Sequence, residues 1–186
     1  MVATCGAAYP AGVDAADPVS AIIVRVALPA ALERIRRLDD HAAADGIPAH
    51  VTLLFPFLPV ARLEPTIRHA LALVASDVEP FDVRFTRVGR FPSAIYLVPE
   101  PAAPFAALTR GIAETFPTHP PYGGAFGDVI PHLTLTESRA ARLDDIAAMA
   151  EPHLPFASRV ADIVVIVQGP AERWRAHWRI ALGVRR

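Results

Sequence analysis

The sequence has a single cysteine, Cys5, and no lysine. One thiol excludes an internal disulfide framework and any cysteine-rich zinc module. Such sparing use of cysteine suits a reducing compartment, and the expected location is the cytoplasm. All 18 basic residues are arginine, set against 19 acidic ones, for a net charge of −1. The arginine bias, like the abundance of alanine, fits a GC-rich coding bias and carries little functional weight. A nearly neutral chain lacks a general electrostatic grip on long nucleic acid, because that grip rests on neutralising many phosphates. A local basic patch around one phosphate stays open.

Long apolar runs are missing too. The most strongly apolar, Ile163-Val164-Val165-Ile166-Val167, is far below the ~20 residues of a bilayer span and suits a buried strand, so no membrane partner is expected. Residues 1–18 are rich in Ala, Gly, Pro and Asp. They have neither the basic start nor the apolar segment of a secretory signal and are expected to form a flexible tail. Residues 19–186 then make a single domain, and 53% hydrophobic content allows a sizeable core.

The pattern along that domain is α+β. Val19 to Leu28 predicts a buried strand, and Ala30 to Ala44 a helix carrying Leu32, Ile35 and Leu38 inward. Ala49 to Leu58 is a second strand and Arg62 to Ser76 a second helix. Phe81 to Val88 and Ala94 to Val98 follow as neighbouring strands. Ala102 to Phe116 is helical, and a loop runs from Pro117 to Pro131. Strand Pro131 to Thr136, helix Ala140 to His153, and strands Ser158 to Gln168 and Arg173 to Leu182 complete the chain.

Two tetrapeptides stand out, His50-Val51-Thr52-Leu53 and His132-Leu133-Thr134-Leu135. On a strand, alternate side chains share a face. His50 and Thr52 therefore project together, with Val51 and Leu53 behind them, and the second copy repeats the arrangement. Two imidazoles and two hydroxyls around one small anion suit phosphodiester cleavage. One histidine takes a proton from the entering oxygen while the other gives one to the leaving oxygen. The hydroxyls donate to the non-bridging oxygens. No metal and no cofactor are expected, since no dense carboxylate cluster is present. A metal site on the same histidines would need a third ligand, such as His119 or Asp128, and would leave both threonines unexplained.

These motifs resemble the two-histidine (2H) phosphoesterase superfamily, and within it the 2′-5′ RNA ligase-like group. The resemblance runs from the first strand through His50-Val51-Thr52-Leu53 and Phe55 to Pro131-His132-Leu133-Thr134-Leu135. It implies a bilobal, duplicated α+β fold in which two antiparallel sheets form a central cleft with helices outside. It also implies metal-independent work on 2′,3′-cyclic phosphates or 2′-5′ linkages. In that frame His50 and His132 are the acid/base pair, and Thr52 and Thr134 hold the phosphate. The substrates would be RNA ends or small cyclic-phosphate nucleotides, handled by a monomer. A non-catalytic module that binds RNA terminal phosphates is the alternative.

Outside the motifs, Tyr96, Tyr122 and Phe126 are candidate aromatic contacts for a base, because single-stranded nucleotides are commonly held by stacking. The glycines around Tyr122 lack the Gly-Lys-Ser/Thr ending of a nucleotide P-loop. His41 and His69 read as solvated surface, and His119 as a residue of the Pro-rich loop, with a substrate contact in the cleft as the lesser reading. Alternation from Trp174 to Ile180 places both tryptophans on one face, with Arg175, His177 and Arg179 on the other.

Overall fold

Residues 18–124, 129–137, 140–170 and 173–184 are described by a computed structural model. The expected tail, apart from Pro18, lies outside the described residues, as do Phe126 and Asp128. In chain order the elements are β1 (Ser20–Arg25), α1 (Ala30–Asp39), α2 (His41–Ala44), β2 (His50–Leu54), α3 (Pro65–Ser76), β3 (Phe81–Phe91) and β4 (Ala94–Glu100). Then come α4 (Ala103–Thr115), β5 (Leu133–Glu137), α5 (Ala140–Ala150), β6 (Phe156–Val160), β7 (Asp162–Gln168) and β8 (Trp174–Ala181). No helix among them is long and apolar enough to cross a membrane.

The α+β pattern holds, but the strands form one sheet instead of two. Its order is β6-β3-β4-β5-β2-β1-β7-β8, and every pairing is antiparallel. Two four-stranded halves meet at the β2–β5 seam, where only Val51 and Leu133 are in register. That seam is thin, yet it makes the sheet continuous. The sheet also curls. Only Ala161 separates β6 from β7, although they lie near opposite ends of the strand order, and one linking residue spans no more than about 7 Å.

The expected strand from Ser158 to Gln168 is therefore two strands, broken at Ala161. β6 pairs with β3 in one half, while β7 pairs with β1 in the other. The apolar run Ile163 to Val167 is buried along its whole length because both of its faces are covered. Ile163 and Val165 join the main core, together with Val51, Leu53, Leu133 and Leu135 and with Leu71, Phe105 and Leu143 from the helices. Val164 and Ile166 face the other way into a smaller cluster with Ile23, Ile47, Phe55 and Trp174.

β8 corrects a second expectation. Its register against β7 shifts between Val165↔Trp178 and Ile166↔Ala176, leaving His177 as an extra residue. Such a bulge reverses the alternation beyond it. Trp174 accordingly packs in the smaller cluster against Phe55, and Trp178 lies against the main core.

The first helix also differs from its expected span. It ends at Asp40, whose backbone is extended (φ −106°, ψ 114°), and restarts as α2. Leu32 and Ile35 are buried as expected, but Leu38 is 67% exposed while Arg36 is only 1% exposed. Spacings of three drift around a helix of 3.6 residues per turn, and the inward stripe runs by steps of four through Leu32, Arg36 and Asp40.

Candidate active site

β2 begins at His50 and β5 begins one residue after His132. Val51 and Leu133 are fully buried, and their neighbours His50, Thr52, His132 and Thr134 are half-buried on the opposite face. Because the strands are antiparallel, continuing the Val51↔Leu133 register sets His50 beside Thr134 and Thr52 beside His132. The four polar residues thus occupy the corners of a quadrilateral, histidines on one diagonal and threonines on the other. Diagonal neighbours of this kind are about 7–8 Å apart, which leaves room for one tetrahedral anion between the imidazoles. All four line a single pocket.

Each histidine is oriented in the same way. His50 Nδ1 donates to the carbonyl of Pro48 at 2.8 Å, and His132 Nδ1 donates to the carbonyl of Ile130 at 2.7 Å. A carbonyl oxygen only accepts, so in both rings Nδ1 carries the hydrogen and Nε2 is left for chemistry. Burial lowers the pKa of His50 to about 4, opposed by the Pro48 bond and reinforced by the charges of Arg36 and His132. Burial also lowers that of His132, opposed by the Ile130 bond. Both rings are therefore neutral at neutral pH.

The environments of the two rings differ. His132 meets Phe91 and Tyr96 edge to face, with centroids 5.1 and 5.4 Å away, and those two rings stack on each other at 4.3 Å. Tyr96 is in register with Thr134 on one side and with Gly89 on the other. A Cβ at Gly89 would lie 2.3 Å from Tyr96 Cε2, so the ring lies where only glycine admits it. Tyr96 therefore touches the site through His132. Tyr122 lines the cleft directly, is buried, and is tied by its backbone N–H to the carbonyl of Phe55 at 2.7 Å. His119 does not line the cleft; it packs near Phe57 and bonds Thr118. Among the described residues no group of three or more His, Cys, Asp or Glu is placed to hold a metal ion.

Sequence reasoning missed Arg36, Asp40 and Glu137, which also line the pocket; His41, exposed as expected, stands at its edge as a further lining residue. Arg36 Nη2 pairs with Asp40 Oδ2 at 2.9 Å, and both side chains are almost fully buried. The adjacent Asp39 is held from the second half of the sheet. Thr136 Oγ1 donates to its carbonyl at 3.0 Å, and Arg142 pairs with its carboxylate at 2.9 Å. These bonds fix the end of α1 against the strand that carries the second motif. The signal in the sequence was the i, i+4 spacing of Arg36 and Asp40 on the same stripe as Leu32.

A model of the 2′-5′ RNA ligase superfamily matches residues 24–177. The chain belongs to that superfamily of two-histidine phosphoesterases. A Bacillus cytotoxicus protein provisionally named a phosphoesterase is 28% identical over 154 residues, covering 80% of this chain and 86% of its own length. Two solved structures share the fold of this 2′-5′ RNA ligase superfamily member at 18% identity. TT0787 of Thermus thermophilus has a TM-score of 0.57, and Escherichia coli LigT complexed with NADP+ has 0.54. Each comparison covers 89% of this chain and 98% of the other.

Proposed function

We propose that the chain is a metal-independent phosphoesterase that hydrolyses 2′,3′-cyclic phosphates, or makes and breaks 2′-5′ linkages, in RNA ends or small nucleotides. The observation that carries this reading is the quadrilateral of His50, Thr52, His132 and Thr134 around one pocket, with both imidazoles presenting Nε2. In-line displacement at phosphorus needs a base and an acid on opposite sides of the phosphorus, which the histidine diagonal supplies. One imidazole takes a proton from water as its oxygen bonds to phosphorus. The other, which enters the step as imidazolium, protonates O3′ from Nε2 as the P–O3′ bond breaks, and the product is a 2′-phosphate. Thr52 and Thr134 donate to the non-bridging oxygens, where charge accumulates. The reverse reaction exchanges the two histidine roles. Escherichia coli LigT, which shares the fold, has been solved with 3′-AMP and with ATP, and a nucleotide-sized substrate agrees with the net charge of −1.

Turnover of a 2′,3′-cyclic nucleotide in the presence of a chelator, followed by phosphorus NMR, tests the reading. His50→Ala and His132→Ala should each lower kcat by roughly 10²–10⁴. Near wild-type turnover by the double variant would falsify the mechanism. Tight binding of the nucleotide with no product would instead mark a binding module.

A further inference from the structure

Resting on that reading of the cleft, we propose that Arg36 is its anion-binding cation, taking phosphoryl oxygens beside the two threonines, and that Asp40 is the positioning residue that holds it there. Three observations converge on it. Arg36 is 1% exposed, yet its Nε has no hydrogen-bond partner among the described residues. Its side chain lines the same pocket as both histidines and both threonines. It is also the only permanent cation among the described residues that line the pocket, where Asp40 and Glu137 are carboxylates.

The charge balance makes the case. With His50 and His132 neutral, a phosphate ester entering this cleft would meet the Asp40 and Glu137 carboxylates with no permanent cation to offset them if Arg36 took no part. A guanidinium is charged at every working pH and matches two phosphoryl oxygens with its planar fork. It also supplies fixed positive charge where the pentavalent transition state gains negative charge. Stability alone does not account for the pair, because a buried ion pair is often no better than apolar residues of similar size. Its mounting is rigid as well. Asp39, the next residue along from Asp40, is bound by Thr136 and Arg142 from β5 and α5.

The test separates anion binding from scaffolding. Arg36→Met/Asp40→Leu replaces the pair by apolar side chains, and thermal unfolding reports whether the fold persists. Binding of inorganic phosphate by calorimetry and turnover of a 2′,3′-cyclic nucleotide report the site. The expected result is a Tm within a few degrees of wild type, phosphate affinity at least tenfold weaker, and kcat/KM at least a hundredfold lower. Asp40→Asn, nearly isosteric, keeps an acceptor oxygen to hold Arg36 and removes only the counter-charge, so phosphate should bind several-fold tighter; a purely structural pair predicts equal or weaker binding. If the apolar double variant does not fold, the direction of the Asp40→Asn change decides. A folded double variant with wild-type phosphate affinity and turnover overturns the role of Arg36 and leaves the two-histidine reading intact. If wild-type protein neither binds phosphate nor turns over the nucleotide, the two-histidine reading falls, and Arg36 with it.

Discussion

Val51 stands directly across from Leu133, the one registered pair at the seam between the two halves of the sheet. Both side chains are fully buried in the main core. By strand alternation their burial forces the flanking histidines and threonines to the opposite face. The site is thus aimed by hydrophobic packing one residue away from the polar groups themselves.

The threonines should matter to the reaction more than to the fold. Thr52→Val and Thr134→Val keep the side-chain shape but remove one donor each. We expect kcat to drop roughly 10²-fold for each, by the usual effect of losing one donor to a developing oxyanion. Tm should change little, since both side chains are only half-buried. Steady-state kinetics beside thermal melts check this; a large fall in Tm with unchanged kcat would reverse the assignment.

The pH–rate profile should lie to the acid side. The pKa of each histidine is lowered from 6.5 by burial, that of His50 to about 4. A base/acid pair needs one proton between its two rings, and kcat/KM reports the free enzyme as two macroscopic values for the pair. The profile should be a bell whose alkaline limb begins below pH 6.5. A bell centred at or above about pH 7.5 would contradict the burial of the pair.

Stability should follow the same titration. Between pH 6.5 and about 4 the unfolded chain binds a proton at His50 that the folded chain does not. Stability therefore falls as pH falls through that window, by on the order of 3 kcal/mol. It is regained as pH rises back to the ordinary histidine value. His50→Gln should flatten this slope. Urea unfolding at about pH 7 and about pH 4.5, for wild type and variant, makes the comparison.

Gly89→Ala should act on the site from the far side of Tyr96. The added Cβ meets the ring at 2.3 Å, which displaces Tyr96 from its stack on Phe91 and its contact with His132. Overpacking of this kind costs about 1–3 kcal/mol. Tyr96→Ala in the same chain removes the clashing ring, so the double variant should be more stable than the two losses added together. Strict additivity in denaturant unfolding would mean that the two side chains do not meet.

Much of the site was legible because its pattern is local. Two His-x-Thr-Leu strands need only period-two alternation to show which side chains share a face, and the four polar residues line one pocket. What escaped the sequence depends on distant contacts. The break at Ala161 is set by β6 and β7 finding partners in different halves of the sheet. The parting of Trp174 from Trp178 comes from a register shift against β7. Arg36 was hidden for a different reason: an arginine on a helix reads as solvated surface unless Asp40, one turn on, is seen to be buried with it.

The origin of β7 has a consequence for how the molecule comes into being. β7 and β8 supply no side chain to the cleft, yet β7 is the outer neighbour of β1, which in turn flanks the first motif strand. A chain cut after Ala161 would hold every cleft residue named above and still leave Ile22 and Ile23 unpaired on one side. During synthesis β1 and β2 emerge well before β7, so the half-site made earlier is the later of the two to be completed. Catalytic competence should therefore arrive only once β7 has emerged, long after both histidines have been translated.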